Sequence, residues 1–198
     1  MSKECYSDTF VLYNVTLKFP EDLFTPRWGK YAAVAVFSKN HEQASQIQAT
    51  IQQLAQKRWG GLTKDIQTPL KDGDLDEKVK QYPEYKNSFF MRIQANSEHQ
   101  PKVIDEFGKP ITSAGGKFVP NCKANVQLYF ATYPELNGQK GMTARLQAVQ
   151  YSGAPDIQPE PEVELKFAIK TQNDVIERPA KASSPRTEQQ QEIDLKGW

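Results

Sequence analysis

Four carboxylates stand almost side by side in the stretch PLKDGDLDEKVKQYPEY, residues 69–85: Asp72, Asp74, Asp76 and Glu77. Oxygens at alternate positions are what a calcium loop supplies, followed by a glycine for its sharp turn and a distant bidentate glutamate. Here Glu77 stands where the glycine belongs, and Pro83 occupies the twelfth position. The stretch fails as a calcium loop at two places that geometry requires. A weak magnesium site, which needs only one or two carboxylates, stays open beside the simpler reading, a solvated turn closed by Asp-Gly.

Other reactive patterns are thin. The sequence holds no Walker loop, no dinucleotide fingerprint and no His–Glu metal motif, so no catalytic residue, metal or cofactor is assigned and the chain is not read as an enzyme. SAGGKF, residues 113–118, has two glycines and a lysine without phosphate-loop spacing. It reads as a flexible connection whose Lys117 touches a phosphate. Cys5 and Cys122 form no Cys-x-x-Cys pair, which argues against a disulfide framework or a zinc site and fits a reducing cytoplasm. His41 and His99 lie in polar surroundings and read as surface residues.

Binding chemistry is better represented. Phe90 stands beside Arg92, and Lys123 beside Tyr129, each pair on one face of a predicted strand. Cations track phosphates, and rings stack on bases that lack a pairing partner, at about 1–3 kcal/mol per base. Aromatic residues are also common on strands for β-propensity alone, so a binding face and a packed outer face are both compatible with the pattern.

The elements that position these residues are mostly strands. FVLYNVTLKF alternates, with Val11, Tyr13, Val15, Leu17 and Phe19 on one side and Asn14, Thr16 and Lys18 on the other. KYAAVAVF is apolar on both faces. In the stretch 38–60 the period changes: Ala44, Ile47, Ile51, Leu54 and Ala55 recur at three and four, predicting an amphipathic helix with Asn40 as N-cap, Gln43 three residues on, and Gly60–Gly61 as its stop. NSFFMRIQAN places Phe89, Met91, Ile93 and Ala95 inward. KVIDEFGKPI predicts a hairpin turning near Gly108. CKANVQLYFATY places Cys122, Ala124, Val126, Leu128 and Phe130 inward, with Lys123, Asn125, Gln127 and Tyr129 outward. GMTARLQAVQY places Met142, Ala144, Leu146 and Ala148 inward, with Arg145 and Gln147 outward, and VELKFAIK reads as a final strand.

Such short antiparallel strands protect their edges by closing. The expected fold is therefore mainly β: a small OB-type (oligonucleotide/oligosaccharide-binding) antiparallel barrel with one inserted helix over residues 1–170, and a disordered, mildly acidic tail over 171–198. A β-sandwich is the structural alternative. The chain's 198 residues suit one domain with appendages. A mean hydropathy of −0.69 and the lack of a long apolar run exclude a membrane span, and MSKECYSDTF has no apolar signal-peptide core. Net charge is +1, spread as 21 basic and 19 acidic residues in 1–170 and four against five beyond. Such a balance neither demands nor forbids a basic groove.

Seven stretches in order carry a resemblance: NVTLKFPEDLFTP, KYAAVAVFSK, the helix ending RWG, TPLKDGD, YPEYKNSFFMRIQANS, PKVIDEFGKPI and KGMTARLQAVQ, across about residues 10–151. Their order and spacing resemble a family of phage single-stranded-DNA-binding proteins first catalogued as a domain of unknown function. The resemblance implies an OB core, sequence-independent binding of single strands in phage replication or recombination, action in the cytoplasm of the infected bacterial cell, and no metal in the acidic loop. Asp72 and Asp74 then brace that loop through backbone N–H groups. One departure is VPNC, where Asn121 replaces the glycine that often precedes the Cys-bearing strand; Asn tolerates left-handed backbone angles.

On this reading Phe90, Tyr129 and Trp28 stack on bases, and Arg92, Lys123 and Arg145 neutralise phosphates. Lys30 and Lys102 are further candidates with Lys117. The tail residues Glu188, Glu192, Asp194, Leu195 and Trp198 resemble the acidic, apolar-tipped peptides with which such proteins recruit replication partners and compete with DNA. Self-association along DNA is compatible with the reading. The rival reading is a phage structural or adaptor protein that binds protein instead; duplex DNA and RNA stay open as ligands because all nucleic acids share phosphates.

Overall fold

Strand β5, Ser88–Asn96, alternates as its sequence dictates: Met91 and Ile93 are fully buried and Ala95 nearly so, while Arg92 and Asn96 are exposed. It lies within a computed structural model that describes residues 5–136 and 139–154. Around it run β1 (Phe10–Lys18), β2 (Lys30–Ser38), α1 (Ala44–Trp59), the short β3 (Ile66–Gln67), β4 (Leu70–Asp72) and β6 (Lys102–Ile104), and the long β7 (Lys123–Leu136) and β8 (Gln139–Gly153).

Five strands form a ring. β1 pairs with β2, β2 with β5, β5 with β8, β8 with β7, and β7 returns to β1. Every pairing in the ring is antiparallel except the β5–β8 seam, where Ile93 faces Ala144 and Gln94 faces Arg145 in parallel. This is the OB barrel, and closure at that seam removes the edges that an open sheet would expose. The inward residues make one core. Leu12, Leu17, Met91, Ile93, Leu128 and Phe130 are fully enclosed, each burial worth about 1.5–3 kcal/mol. The apolar face of α1, with Ile47, Ile51, Leu54 and Ala55, joins the same cluster. Gly60 ends the helix in a left-handed conformation, φ 77°, as a residue without Cβ can do cheaply.

Three expectations need correction. In β1 the alternation breaks between Leu12 and Val15, where one extra residue opposes β7; Leu12 is buried, Tyr13 and Asn14 are exposed, and Asn14 takes φ 50°. The helix begins at Ala44, and Asn40 does not cap it. Gln43 bonds across to β1 instead: its side-chain amide donates to the Val11 carbonyl (2.7 Å) and its Oε1 accepts from the Tyr13 N–H (2.9 Å). The Nε2 of His41 meets the Tyr13 carbonyl at 2.9 Å, and its ring stands edge-on to Phe37, so His41 is a strut of the bulge while His99 is exposed. In β8, Gln147 is the extra residue where the register with β7 shifts, so Val149 rather than Ala148 turns inward.

The expected hairpin is present: β6 is followed by a turn in which Asp105 and Lys109 pair and Gly108 adopts φ 81°. Asn121 is left-handed, φ 70°, as the VPNC turn requires. The expected strand at 163–170 and the tail at 171–198 lie outside the described residues.

Candidate nucleic-acid interface

Residues directly paired in neighbouring strands project from the same face, so the register writes out the barrel's outer surface in rows. One row runs Lys71, Phe90, Val36, Thr16, Lys123 across β4, β5, β2, β1 and β7. The next runs Arg92, Val34, Lys18. A third runs Ala32, Gln94, Arg145, Tyr129 across the seam.

A groove of about 610 Å³ follows these rows over β2, β4, β5 and β8. Of the nine residues expected from sequence to touch DNA, it gathers Lys30, Phe90, Arg92 and Arg145. The groove is also lined by Lys71 and Tyr133, which the sequence pattern does not single out. Lys71 sits in PLKDGD and is Phe90's register partner; Tyr133 continues the outward alternation of β7 two steps past Tyr129. Among the described residues, none of Lys30, Lys71, Arg92 and Arg145 lies within ion-pair distance of a carboxylate, although Asp76 lines the same groove. Arg145 donates to the Asn96 side-chain carbonyl (3.2 Å), and Gln94 donates to Thr143 (2.9 Å), which fixes the groove floor.

The other candidates are placed around it. Tyr129 is half-buried beside Arg145 at the β7 margin, its ring 6.0 Å from that of Tyr6. Trp28 is 90% exposed at the tip of the hairpin turn into β2. Arg27 and Lys30 exchange both backbone hydrogen bonds, and Trp28 and Gly29 adopt φ 48° and 73°, the geometry of a type I′ turn. A bulky residue pays about 1–2 kcal/mol there, yet the indole is held out two residues from Lys30. Lys123 lies in an adjacent hollow, donating to Thr16 (3.1 Å). Lys102 is exposed on β6 beside Ala148, outside the groove. Lys117 is bound to Glu106 at 2.6 Å and lies 3.8 Å from Asp105. Its bond to Glu106 raises its pKa, so its charge is committed locally. Glu188, Glu192, Asp194 and Trp198 lie outside the described residues.

The acidic loop turns Asp72 and Asp74 toward the protein. Lys39 bridges Asp72 (2.6 Å) and Asp74 (2.7 Å). Asp72 also accepts from the Asp74 N–H, and Asp74 from the Asn87 N–H. Lys39, then the Asn87 N–H, hold the Asp74 carboxyl below the usual range. Gly73 is required between them, because a Cβ there would collide with the Tyr85 carbonyl.

A family model described as Enterobacter phage Enc34, ssDNA-binding protein, matches residues 10–156. Putative protein p50 of Acyrthosiphon pisum secondary endosymbiont phage 1 is 31% identical over 159 residues, spanning 71% of this chain and 80% of its own. The single-stranded DNA-binding protein from bacteriophage Enc34 has the same fold, with TM-score 0.63 at 18% identity over 79% of this chain and 87% of its own. The same protein solved in complex with ssDNA matches with TM-score 0.60 at 17% identity, over 75% and 88%. gp2.5, a single-stranded DNA binding protein encoded by bacteriophage T7, matches with TM-score 0.57 at 11% identity, over 83% and 99%. From the match over residues 10–156, the chain belongs to the family of the ssDNA-binding protein of Enterobacter phage Enc34.

Proposed function

We propose that this chain binds single-stranded DNA without regard to sequence, and protects and organises it during phage DNA replication or recombination. The observation that carries this reading is the groove itself: Phe90 flanked by Lys71, Arg92, Arg145 and Lys30 on the outer face of an OB barrel. Rings supply stacking surfaces that accept every base, and cations supply salt-sensitive phosphate contacts. Family membership supports it, as does the fold shared with a protein solved on ssDNA. The role is binding rather than catalysis, in the cytoplasm of the infected bacterial cell. No helix of the described residues is long and apolar enough to cross a membrane.

Residues 1–170 act in this reading as the binding domain. The segment 171–198, ending in Glu188, Glu192, Asp194, Leu195 and Trp198, acts as a peptide that modulates binding or recruits replication proteins. The test is a titration against single-stranded DNA, duplex DNA and RNA of equal length at two salt concentrations. The reading expects the single strand to bind most tightly and to weaken as salt rises. No affinity for any nucleic acid would return the chain to the structural or adaptor class.

A further inference from the structure

A second hollow adjoins the groove beside Phe90. Val36, the register partner of Phe90, lines a second hollow of about 510 Å³ over β1, β2 and β5. Lys18, in the same row as Arg92 with only Val34 between them, belongs to this hollow. Two strand spacings, about 10 Å, separate these two positions. Lys123, Ser38, Ser88 and Asn121 are among its polar lining.

A carboxylate already occupies the hollow. Glu84 projects into it from the short 3-10 turn Pro83–Tyr85, and its Oε1 lies 3.3 Å from the Lys18 ammonium. The Lys18 side chain is only 13% exposed, whereas that of Glu84 is 44% exposed. The glutamate's own backbone N–H, with Lys18 acting in the same direction against partial desolvation, holds the carboxyl below its usual range. The next residue couples the two hollows: the Tyr85 ring stands 5.2 Å from Phe90 in one, and 5.8 Å from the Lys18 ammonium in the other. A monoanion with paired oxygens on a sheltered ammonium, among hydroxyls and amides, is also what a phosphodiester would present.

We propose that this hollow is a second nucleotide subsite, continuous with the groove, in which Glu84 holds the phosphate position on Lys18 until an incoming strand displaces it. The inference rests on the reading of the groove as a single-stranded-DNA site. It explains why an acidic loop borders a polyanion-binding face. The carboxylate is an internal competitor that a strand long enough to leave the first groove must replace.

Fluorescence anisotropy of the full chain with oligo-dT of about 5 and about 15 nucleotides, lengths that bracket one OB site, tests it. Glu77, in the same loop, is 81% exposed and paired with Lys80, so Glu77→Gln changes net charge equally outside the hollow. The expected result is that Glu84→Gln tightens the longer oligonucleotide by about twofold to fivefold. The shorter oligonucleotide and the Glu77→Gln variant should bind as wild type does. Lys18→Met should abolish the gain in the Glu84→Gln background. Equal tightening of both lengths, equal tightening by both variants, or no change overturns this inference alone. A wild-type chain that binds neither oligonucleotide overturns the proposed function and this inference with it.

Discussion

Tyr85 stands edge-on to Phe90, ring centroids 5.2 Å apart and planes at 76°. The contact keys the acidic loop to the aromatic centre of the groove and sets a buried ring against Phe90. Tyr85 is itself 8% exposed, whereas Phe90 is half-buried on the outer face. Positioning of this kind reduces the ordering cost of stacking.

Phe90→Leu keeps an apolar side chain against Tyr85 and removes the flat ring. Affinity for oligo-dT should fall by about 1–3 kcal/mol, the worth of one stack. Urea denaturation should show a loss below about 1.5 kcal/mol, because the exchange stays apolar at a half-buried position. Unchanged affinity with unchanged stability would remove Phe90 from the binding face.

Arg92→Gln and Arg145→Gln address the phosphates. Each removes one cation from the groove, and each should reduce the slope of log K against log[salt] by about 0.7, the value for one contact on a single strand. Slopes parallel to wild type across a salt titration would mean that neither guanidinium meets a phosphate.

Much of this arrangement was legible in the sequence, for a physical reason: where a strand has one wet and one dry face, alternation is forced. That is why Met91 and Ile93, or Val126, Leu128 and Phe130, were assigned inward correctly. Alternation fails wherever a bulge adds a residue, and neither the Asn14 bulge nor the one at Gln147 leaves a local signature stronger than an ordinary polar residue. The helix start was misread because Gln43 looks like part of a capping box, while its amide is used on β1, thirty residues away in sequence. The parallel seam, which brings Arg145 beside Gln94 and so assembles the groove, is a long-range pairing that no local pattern encodes. Lys117 illustrates the converse: a lysine in a glycine-rich stretch suggests a phosphate contact, and only the fold brings Glu106 to it.

The segment 172–198 offers a test of the tail's proposed role. Its removal should raise affinity for single-stranded DNA, most clearly at low salt, where an acidic peptide competes best for a basic groove. Equal or weaker binding by the truncated chain in the same anisotropy titration would reject competition.

Acid should destabilise the fold in a defined window. Lys140 and Thr63 hold the Asp65 carboxyl at about 2. Lys39 and the Asn87 N–H lower Asp74, the backbone N–H groups of Lys109 and Phe107 lower Asp105, and Lys117 lowers Glu106. A carboxyl whose pKa is depressed by folding contributes stability that is present above its unfolded value, about 4, and is lost as pH falls through the folded value. Thermal unfolding followed by circular dichroism should therefore show a melting temperature that drops between about pH 4 and pH 2. A melting temperature that rises over that interval would contradict these contacts.

On the proposed reading, unpaired bases lie along the rows that carry Phe90, Arg92 and Arg145. Photo-crosslinking of the full chain to oligo-dT, with peptide mapping by mass spectrometry, reads the path directly. The account predicts crosslinks in the peptides containing Phe90, Tyr129 or Trp28, and fewer with Phe90→Leu. Crosslinks confined to the segments of Lys102 and Lys117, with those three peptides unmodified, would contradict it.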